Sequence, residues 1–569
     1  MIKVRTLSQT QVSLFLAIYV GWFLNSVIFY RHIKLAFQQP SVLAWCSIFA
    51  ELLATFFATF LVLRLTSLGG RWCFKILSSI IVLVSVASAY YMFMFNVIIG
   101  YGIIASVLTT TDTDLTTEVV GVWFYLWLIL LGLPPLFLIW VNQCRASLAV
   151  QSRQLKSALF SWGTLCLAVA LAWLPIRALD KAYKAQEHQT NRDMPSYGGT
   201  VAHTYLPANW LSSLGIFAWS RLNEDVFSEE LLDPAERFHY TAPKSLDDTY
   251  VVFVIGETTR WDHMGIFGYR RDTTPNLAKE PNLAAFRGES CDTATKLSLR
   301  CMFVREGGAA NDSGRTLKEE NVFSVLRELG FTSELYAMQG EVWFYSKTDA
   351  NNIEFREQIG SEPENRGKTV DDMLLVPKVA QSVSHFPKGK HLIILHTKGS
   401  HYLYSQRYPR SFAQYTPECI GSNDFCSKDQ LINAYDNSVR YVDHTLAAIY
   451  DQLRDKKAIV FYVADHGESI SDNMHFHGTP REMAPPEQFR VPMIVWASTP
   501  FLADSDNKQR FSLLQQQAKA GVMHKHTEIF DSLMGCLGYH SDDGGIKAKN
   551  NWCDRATSEA AIKAATAQH

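Results

Sequence analysis

Two apolar runs in the second half of this 569-residue chain end on residue types that bind divalent metal ions. Tyr250 to Ile255 runs into Gly256-Glu257-Thr258, and Ala458 to Val463 runs into Asp465-His466-Gly467-Glu468. Carboxylate and imidazole are the ligands that a hard or borderline ion takes in a reactive site. Any one of these residues alone would more often be an ordinary surface or capping residue; their joint position at two strand ends is what points to a metal. A third segment, Cys291-Asp-Thr-Ala-Thr-Lys-Leu-Ser-Leu-Arg-Cys301, is short, rich in hydroxyls and closed by cysteines that a disulfide would join. A threonine hydroxyl is too weak to attack unaided, and metal coordination lowers its pKa into a useful range. The plain alternative is a loop whose threonines hydrogen-bond its own backbone.

Positioning such groups requires a sheet. Short β-branched and aromatic runs read as buried parallel strands, and ligands of open α/β sheets gather outside their carboxyl ends. Candidate strands are Tyr250 to Ile255, Thr332 to Ala337, His391 to His396, Ala458 to Val463 and Met493 to Ala497. Helical segments lie between them, notably Asp429 to Arg454, with Leu431, Ile432, Tyr435, Val439, Val442, Leu446 and Ile449 on one face. The alternation predicts a mainly parallel sheet covered on both sides over residues 248–553. The Ala- and Lys-rich residues 554–569 read as a frayed tail. The chain shows no internal repeat, P-loop or dinucleotide fingerprint.

The first 176 residues are of another kind. Hydrophobic residues make up 48% of the chain and charged residues 19%, and the apolar excess is concentrated here. Five stretches, about Ser13 to Phe29, Val42 to Leu65, Ile76 to Ile99, Val119 to Val141 and Leu155 to Leu174, approach the roughly 20 residues that cross a bilayer core. Lys3, Arg5, Arg64, Arg71, Lys75, Arg145, Arg153 and Lys156 place their loops on the cytoplasmic side, against Arg31, His32 and Lys34 in the first outer loop. Everything after Pro175 is then outside. A connector, residues 177–247, contains Pro207 to Leu222, whose Leu211, Leu214, Ala218 and Leu222 share a face with Trp210 and Trp219 nearby. That pattern suits a helix in the headgroup layer or one packed on the soluble domain. The outer loop Gly100 to Glu118, with its Thr109-Thr-Thr-Asp-Thr-Asp114 cluster, is either part of a lipid-facing floor or a solvated turn.

Cysteine usage agrees with that topology. Cys46, Cys73, Cys144 and Cys166 lie in or beside the spans, where they act as small apolar fillers. Cys291, Cys301, Cys419, Cys426, Cys536 and Cys553 lie in the outer half, where an even number favours disulfides. Neighbour pairing is the simplest of fifteen connectivities. No C-x-x-C spacing suggests a zinc knuckle.

Several motifs in order carry a resemblance: Gly256-Glu257-Thr258-Thr259-Arg260, Cys291-x-x-x-Thr295 closed by Cys301, Leu395-His-Thr-Lys-Gly-Ser-His401, Tyr435-Asp436-Asn437-Ser438, Asp465-His466-Gly467-Glu468-Ser469 and His477-Gly478. Together they resemble the phosphoethanolamine transferases of Gram-negative inner membranes, most closely the type that modifies the outer Kdo sugar of lipopolysaccharide. The resemblance implies a five-helix transmembrane domain followed by an α/β alkaline-phosphatase- or sulfatase-like periplasmic domain. It implies zinc held by Glu257, Thr295, Asp465 and His466, with Thr295 as nucleophile and room for a second, weaker metal. It gives His401, His477 and Glu468 catalytic and substrate-binding roles. It also implies a dependence on calcium, although the chain carries no calcium loop. Where relatives often have Cys-Gly-Thr, this chain has Cys291-Asp292-Thr293, followed by Lys296 and Arg300, which changes the charge around the nucleophile.

The activity so implied is transfer of phosphoethanolamine from phosphatidylethanolamine to lipopolysaccharide (Kdo2-lipid A) through a threonine-bound intermediate. The enzyme would be a monomer among membrane lipids, with no nucleic-acid partner. Transfer to a lipid A phosphate is the nearest alternative. A membrane-anchored sulfatase-like phosphodiesterase would use the same metal residues with water as acceptor. Lipoteichoic acid polymerases share the layout without the paired cysteines, and a non-enzymatic metal-braced receptor would not need Thr295.

Overall fold

The computed structural model describes residues 7–109, 121–142, 155–186, 197–226, 231–420, 426–470 and 475–567. Lys3, Arg5, Cys144, Arg145, Arg153 and most of the Thr109 to Asp114 cluster lie outside the described residues. The chain forms two compact units, residues Met1–Ile104 with Val120–Trp219, and Ala105–Val119 with Ser220–His569.

The first unit is helical. Three segments among the described residues are long and apolar enough to cross a membrane: Val42–Met94, Val122–Val141 and Ser161–Tyr183. A fourth is the pair Gln9–Phe23 and Ser26–Gln38, bent by 50°, if taken as one span. The 53-residue segment Val42–Met94 is itself two helices of 25 residues each, Val42–Thr66 and Gly70–Met94, which turn at Ser67–Gly69 and pack on one another. Gly70 makes that turn with φ 88°, a left-handed conformation that costs a residue without Cβ little. Either half is as long as a bilayer core requires; among the described residues the apolar segments number three, or four with the bent pair, against the five spans expected from sequence. The connector helix runs Ala208–Val226. Its Trp210 is buried in the core of this unit and donates to Ser85 Oγ, while Leu214, Trp219 and Leu222 remain exposed. The exposed apolar side chains here are numerous, as a lipid-facing surface requires.

The second unit is built on an eight-stranded sheet. Its strands are β1 (Tyr250–Gly256), β2 (Leu283–Glu289), β3 (Thr332–Ala337), β4 (Asn352–Phe355), β5 (His391–His396), β6 (Ala458–Ala464), β9 (Arg490–Ala497) and β10 (Met523–Lys525); β7 (Ser469–Ile470) and β8 (His475–Phe476) form a separate pair. The order is β10-β2-β9-β6-β1-β5-β3-β4. From β6 to β4 every neighbour is parallel, and β9 runs antiparallel to both β6 and β2. Every residue of β1, β5 and β6 is buried, because helices cover both faces. Alternate side chains feed different cores: Val251, Phe253 and Ile255 enter one, and Tyr250, Val252 and Val254 the other. The five strands expected from sequence are all present.

Two readings need correction. β2, β4 and β10 were not expected: β2 has only alternating burial, and the other two span four and three residues, so none forms a long apolar run. Nor do residues 555–566 fray. Arg555–Thr566 is a helix capped by the Asp554 side chain on Thr557 N, and it packs on the helix Ser505–Ala520, burying Ser558. Its Ala and Lys content is that of a good helix former, and the tertiary contact decides that it forms.

Candidate active site

The central strands deliver the site. β1 and β6 are in register, Gly256 opposite Ala464, so Glu257 and Asp465 leave neighbouring strand ends side by side. Thr295 opens the helix Thr295–Met302, and its Oγ1 lies 3.1 Å from Glu257 Oε2 and 3.2 Å from His466 Nε2. His466 Nε2 is also 3.3 Å from Asp465 Oδ2 and 3.4 Å from Glu257 Oε1. Glu257, Asp465 and His466 are fully buried. Burying two carboxylates together is costly unless a cation joins them.

The ring orientations are set by what each histidine donates to. His466 Nδ1 donates to the Gly467 carbonyl at 2.9 Å and His401 Nδ1 to the Tyr402 carbonyl at 2.6 Å. Both therefore keep Nε2 as a lone pair. Ligand atoms of Glu257, Asp465 and His466 fall within 4.8 Å of one another, as do those of Glu257, His401 and His477. Asp465 Oδ2 is buried with no hydrogen-bond partner. An acceptor-only donor set with an orphaned carboxylate oxygen fits a divalent cation, with Glu257 shared between two adjoining groups.

Glu468 is placed differently. Its Oε2 meets His477 Nδ1 at 3.0 Å, and its backbone carbonyl accepts from Arg260 Nη1 at 2.9 Å. It belongs to neither ligand group and reaches the site through His477. Burial raises its carboxyl to about 8, partly offset by His466 and Arg260. Burial, then repulsion from Asp465, raises Glu257 to about 7, and burial raises Asp465 to about 7. Burial lowers His466 to about 4 and holds His401 well below the ordinary histidine range.

Backbone strain is concentrated at the same point. Thr258 holds φ 59°, an uncommon value for a β-branched residue, and is kept there by its N–H on Asp465 Oδ1 at 3.1 Å and its hydroxyl on Glu257 Oε1 at 2.5 Å. Gly399 has φ 51°, and a Cβ there would lie 2.6 Å from the Glu257 carbonyl oxygen. Gly399→Ala should therefore displace Glu257. We expect metal content and transfer rate to fall at least about tenfold while the fold survives, since strain of this kind costs about 1–3 kcal/mol. Elemental analysis beside a melting curve checks it.

The segment that carries Thr295 is tied down from several sides. Cys291 and Cys301 are disulfide-bonded, as are Cys419 with Cys426 and Cys536 with Cys553. The extra charge at Asp292 is met by Arg315, whose Nε donates to Oδ2 at 2.9 Å. Thr293 Oγ1 donates to the Thr479 carbonyl, and the Thr293 carbonyl accepts from Gly478 N, which joins this loop to the His477 loop. Lys296 and Arg300 are buried against Trp343, 5.9 and 4.5 Å from its ring centroid.

Sequence reasoning missed several supporting residues. Gln339 donates to Glu257 Oε2 at 2.9 Å and accepts from Lys398 Nζ at 3.3 Å. Asp372 accepts from the backbone N–H groups of Lys398 and Gly399, fixing the approach to His401. His526 joins the Cys291 amide to the Ala464 carbonyl at the end of β6. None belongs to a local motif. The only available signal was the position of Gln339 two residues after strand β3.

Comparison with known proteins agrees with this architecture. Residues 249–539 match the family model described as Sulfatase, and residues 55–209 match the model for phosphoethanolamine transferase EptA/EptB. The chain is 58% identical over 550 residues to the Kdo(2)-lipid A phosphoethanolamine 7''-transferase of Salmonella typhimurium, covering 97% of this chain and 98% of the relative, and equally to that of Escherichia coli K12. The phosphoethanolamine transferase EptA of Salmonella typhimurium is 27% identical over 83% of this chain and 84% of its own length. In fold, the integral membrane lipooligosaccharide phosphoethanolamine transferase A of Neisseria meningitidis superposes with a TM-score of 0.78 at 23% identity, over 96% of this chain and 99% of that one. With a helical membrane unit, a sulfatase-type sheet and relatives matched almost end to end, the chain belongs to the phosphoethanolamine transferase family.

Proposed function

We propose that this enzyme moves phosphoethanolamine from phosphatidylethanolamine to the outer Kdo sugar of Kdo2-lipid A, on the periplasmic side of the bacterial inner membrane. The observation that carries the chemistry is the Thr295 hydroxyl within 3.2 Å of both Glu257 and His466 at the head of a helix. The acceptor rests on the 58% identity to the named Kdo-directed relatives.

Glu257, Asp465, His466 and Thr295 would hold zinc, which supplies positive charge for the Thr295 oxygen and the phosphoryl oxygens. The Thr295 hydroxyl donates to Glu257 Oε2, so its proton has an acceptor as the oxygen attacks. In the first step the Thr295 Oγ1–P bond forms, the bond from phosphorus to the diacylglycerol oxygen breaks, and that oxygen takes a proton. In the second, a Kdo hydroxyl attacks phosphorus, gives up its proton, and Thr295 leaves with its hydroxyl restored. His401 and His477, their rings 5.4 Å apart, can hold the substrate phosphate and carry these protons, with Glu468 orienting His477. Membrane anchoring keeps donor and acceptor lipids in one plane.

Mass spectrometry of lipopolysaccharide from cells that lack other such transferases tests the acceptor. Expression should add one phosphoethanolamine to the Kdo-containing core fragment. Addition to lipid A phosphates alone would move the enzyme to the other acceptor class. Release of free phosphoethanolamine without labelling would favour the hydrolase.

A further inference from the structure

The helical unit contains a cleft of about 440 Å³ that none of the metal-ligating or hydroxyl residues of the candidate site lines. It lies among the helices Val42–Thr66, Leu155–Gln186 and Tyr197–Thr204 and the turn that follows them. Small residues open it. Ala54 and Ala58 lie one turn apart on one wall, and Gly198 and Ala202 one turn apart on another. Arg177 and Asp180, neighbours at i and i+3 on a single helix, line the same space.

The walls are preformed. Arg177 lies over the Trp173 ring, 4.9 Å from its centroid, and Asp180 Oδ1 accepts the Tyr197 N–H at 2.9 Å. Tyr197 and Tyr205 each donate a hydroxyl hydrogen bond of 2.7 Å to the buried Glu51, which also meets His32 Nδ1 at 2.8 Å. Asn25 exchanges two hydrogen bonds with the Leu206 backbone, fixing the turn. Ligand sites of roughly 300–1,000 Å³ are typically largely preformed, mostly apolar and equipped with a few placed polar groups.

Lys and Arg placement puts the helix Leu155–Gln186 with its carboxyl end outward, so Arg177 and Asp180 lie toward the outer headgroups. Ala172 on the same helix lies roughly 7 Å deeper. We propose that this cleft seats one zwitterionic glycerophospholipid, the chemical class of the donor, with Arg177 toward its phosphate, Asp180 toward its ammonium and the small-residue walls along an acyl chain. The identification as donor class rests on the transfer reading above; the seat itself rests on the charge pair and the cleft. An anionic glycolipid is a poor fit, because Asp180 in the cleft lining would face its carboxylates and phosphates.

The test uses the full-length protein in nanodiscs containing equal phosphatidylethanolamine and phosphatidylglycerol, released into native mass spectrometry. Wild type should retain one lipid per chain, enriched about tenfold for phosphatidylethanolamine, as two charge-assisted contacts imply. Arg177→Gln and Asp180→Asn should return that ratio to the bulk value, the asparagine still able to accept the Tyr197 N–H. Ala58→Trp should lower occupancy about tenfold. Retained lipid of bulk composition in wild type, or unchanged enrichment in both charge variants, overturns the proposal, whether or not Ala58→Trp folds. Wild-type acceptor labelling is measured on the same preparation. Labelling without selective lipid removes the seat and leaves the transfer reading, whereas selective lipid without labelling does the reverse.

Discussion

Thr295→Ala should reduce transfer by at least about a thousandfold, because it removes the hydroxyl to which the proposed mechanism gives the bond to phosphorus while leaving Glu257, Asp465 and His466 in place. Melting temperature should stay near wild type, and with Glu257, Asp465 and His466 retained the variant should still take up zinc when it is supplied in excess, which separates loss of the hydroxyl from loss of the site. After incubation with donor lipid alone, the tryptic peptide Gly288 to Lys296 of the wild-type enzyme should carry phosphoethanolamine on Thr295, whereas the alanine variant carries none. An active wild-type enzyme whose peptide stays unmodified would remove the covalent intermediate. A metal-braced receptor predicts that Thr295→Ala changes nothing.

The second large effect concerns the carboxylate pair. Without metal, Glu257 and Asp465 hold their protons up to about pH 7, above their ordinary values of 4.5 and 3.8. Between those limits the folded protein binds more protons than the unfolded chain. The pair's contribution to stability is therefore fully present below about pH 4 and falls as pH rises toward 7. His466, lowered to about 4, acts in the opposite sense over part of that range, so the comparison must subtract it. Metal-free wild type minus metal-free Glu257→Gln, followed in melting scans, should show the decline with rising pH. Zinc needs ionised ligands and competes with those protons, so its apparent affinity should weaken below about pH 7 and its stabilising effect be greatest at alkaline pH. Chelation should abolish transfer and zinc should restore it. A difference curve that rises with pH would show that the pair does not share the buried environment described here.

The five strands and the helix at Lys428–Asp451 were legible because each is a local pattern: a short run of strand-forming residues, wholly apolar and seven residues long in β1 and β6, or a helical stripe bounded by a serine cap. Motif order brought Glu257, Thr295, Asp465 and His466 together on paper, and the membrane segments announced themselves by length and composition. The edge strands β4 and β10 are too short to carry a period, and β2 is stabilised by pairing with β9 and β10 more than by its own pattern.

By itself, the sequence determined the class of protein: a helical membrane unit, an outer α/β unit, and strand ends bearing carboxylate, imidazole and hydroxyl. Those properties follow from residue type and short-range spacing, which folding does not alter. The tertiary structure alone decided which ring nitrogen of His401 and His466 faces the site, that Glu468 meets His477 Nδ1 rather than joining a ligand group, and that Gln339, Asp372 and His526 hydrogen-bond around the cluster. It also decided that small residues on three helices enclose a cleft. Hydrogen-bond direction and enclosed volume arise between segments distant in the chain, so no local window of sequence contains them.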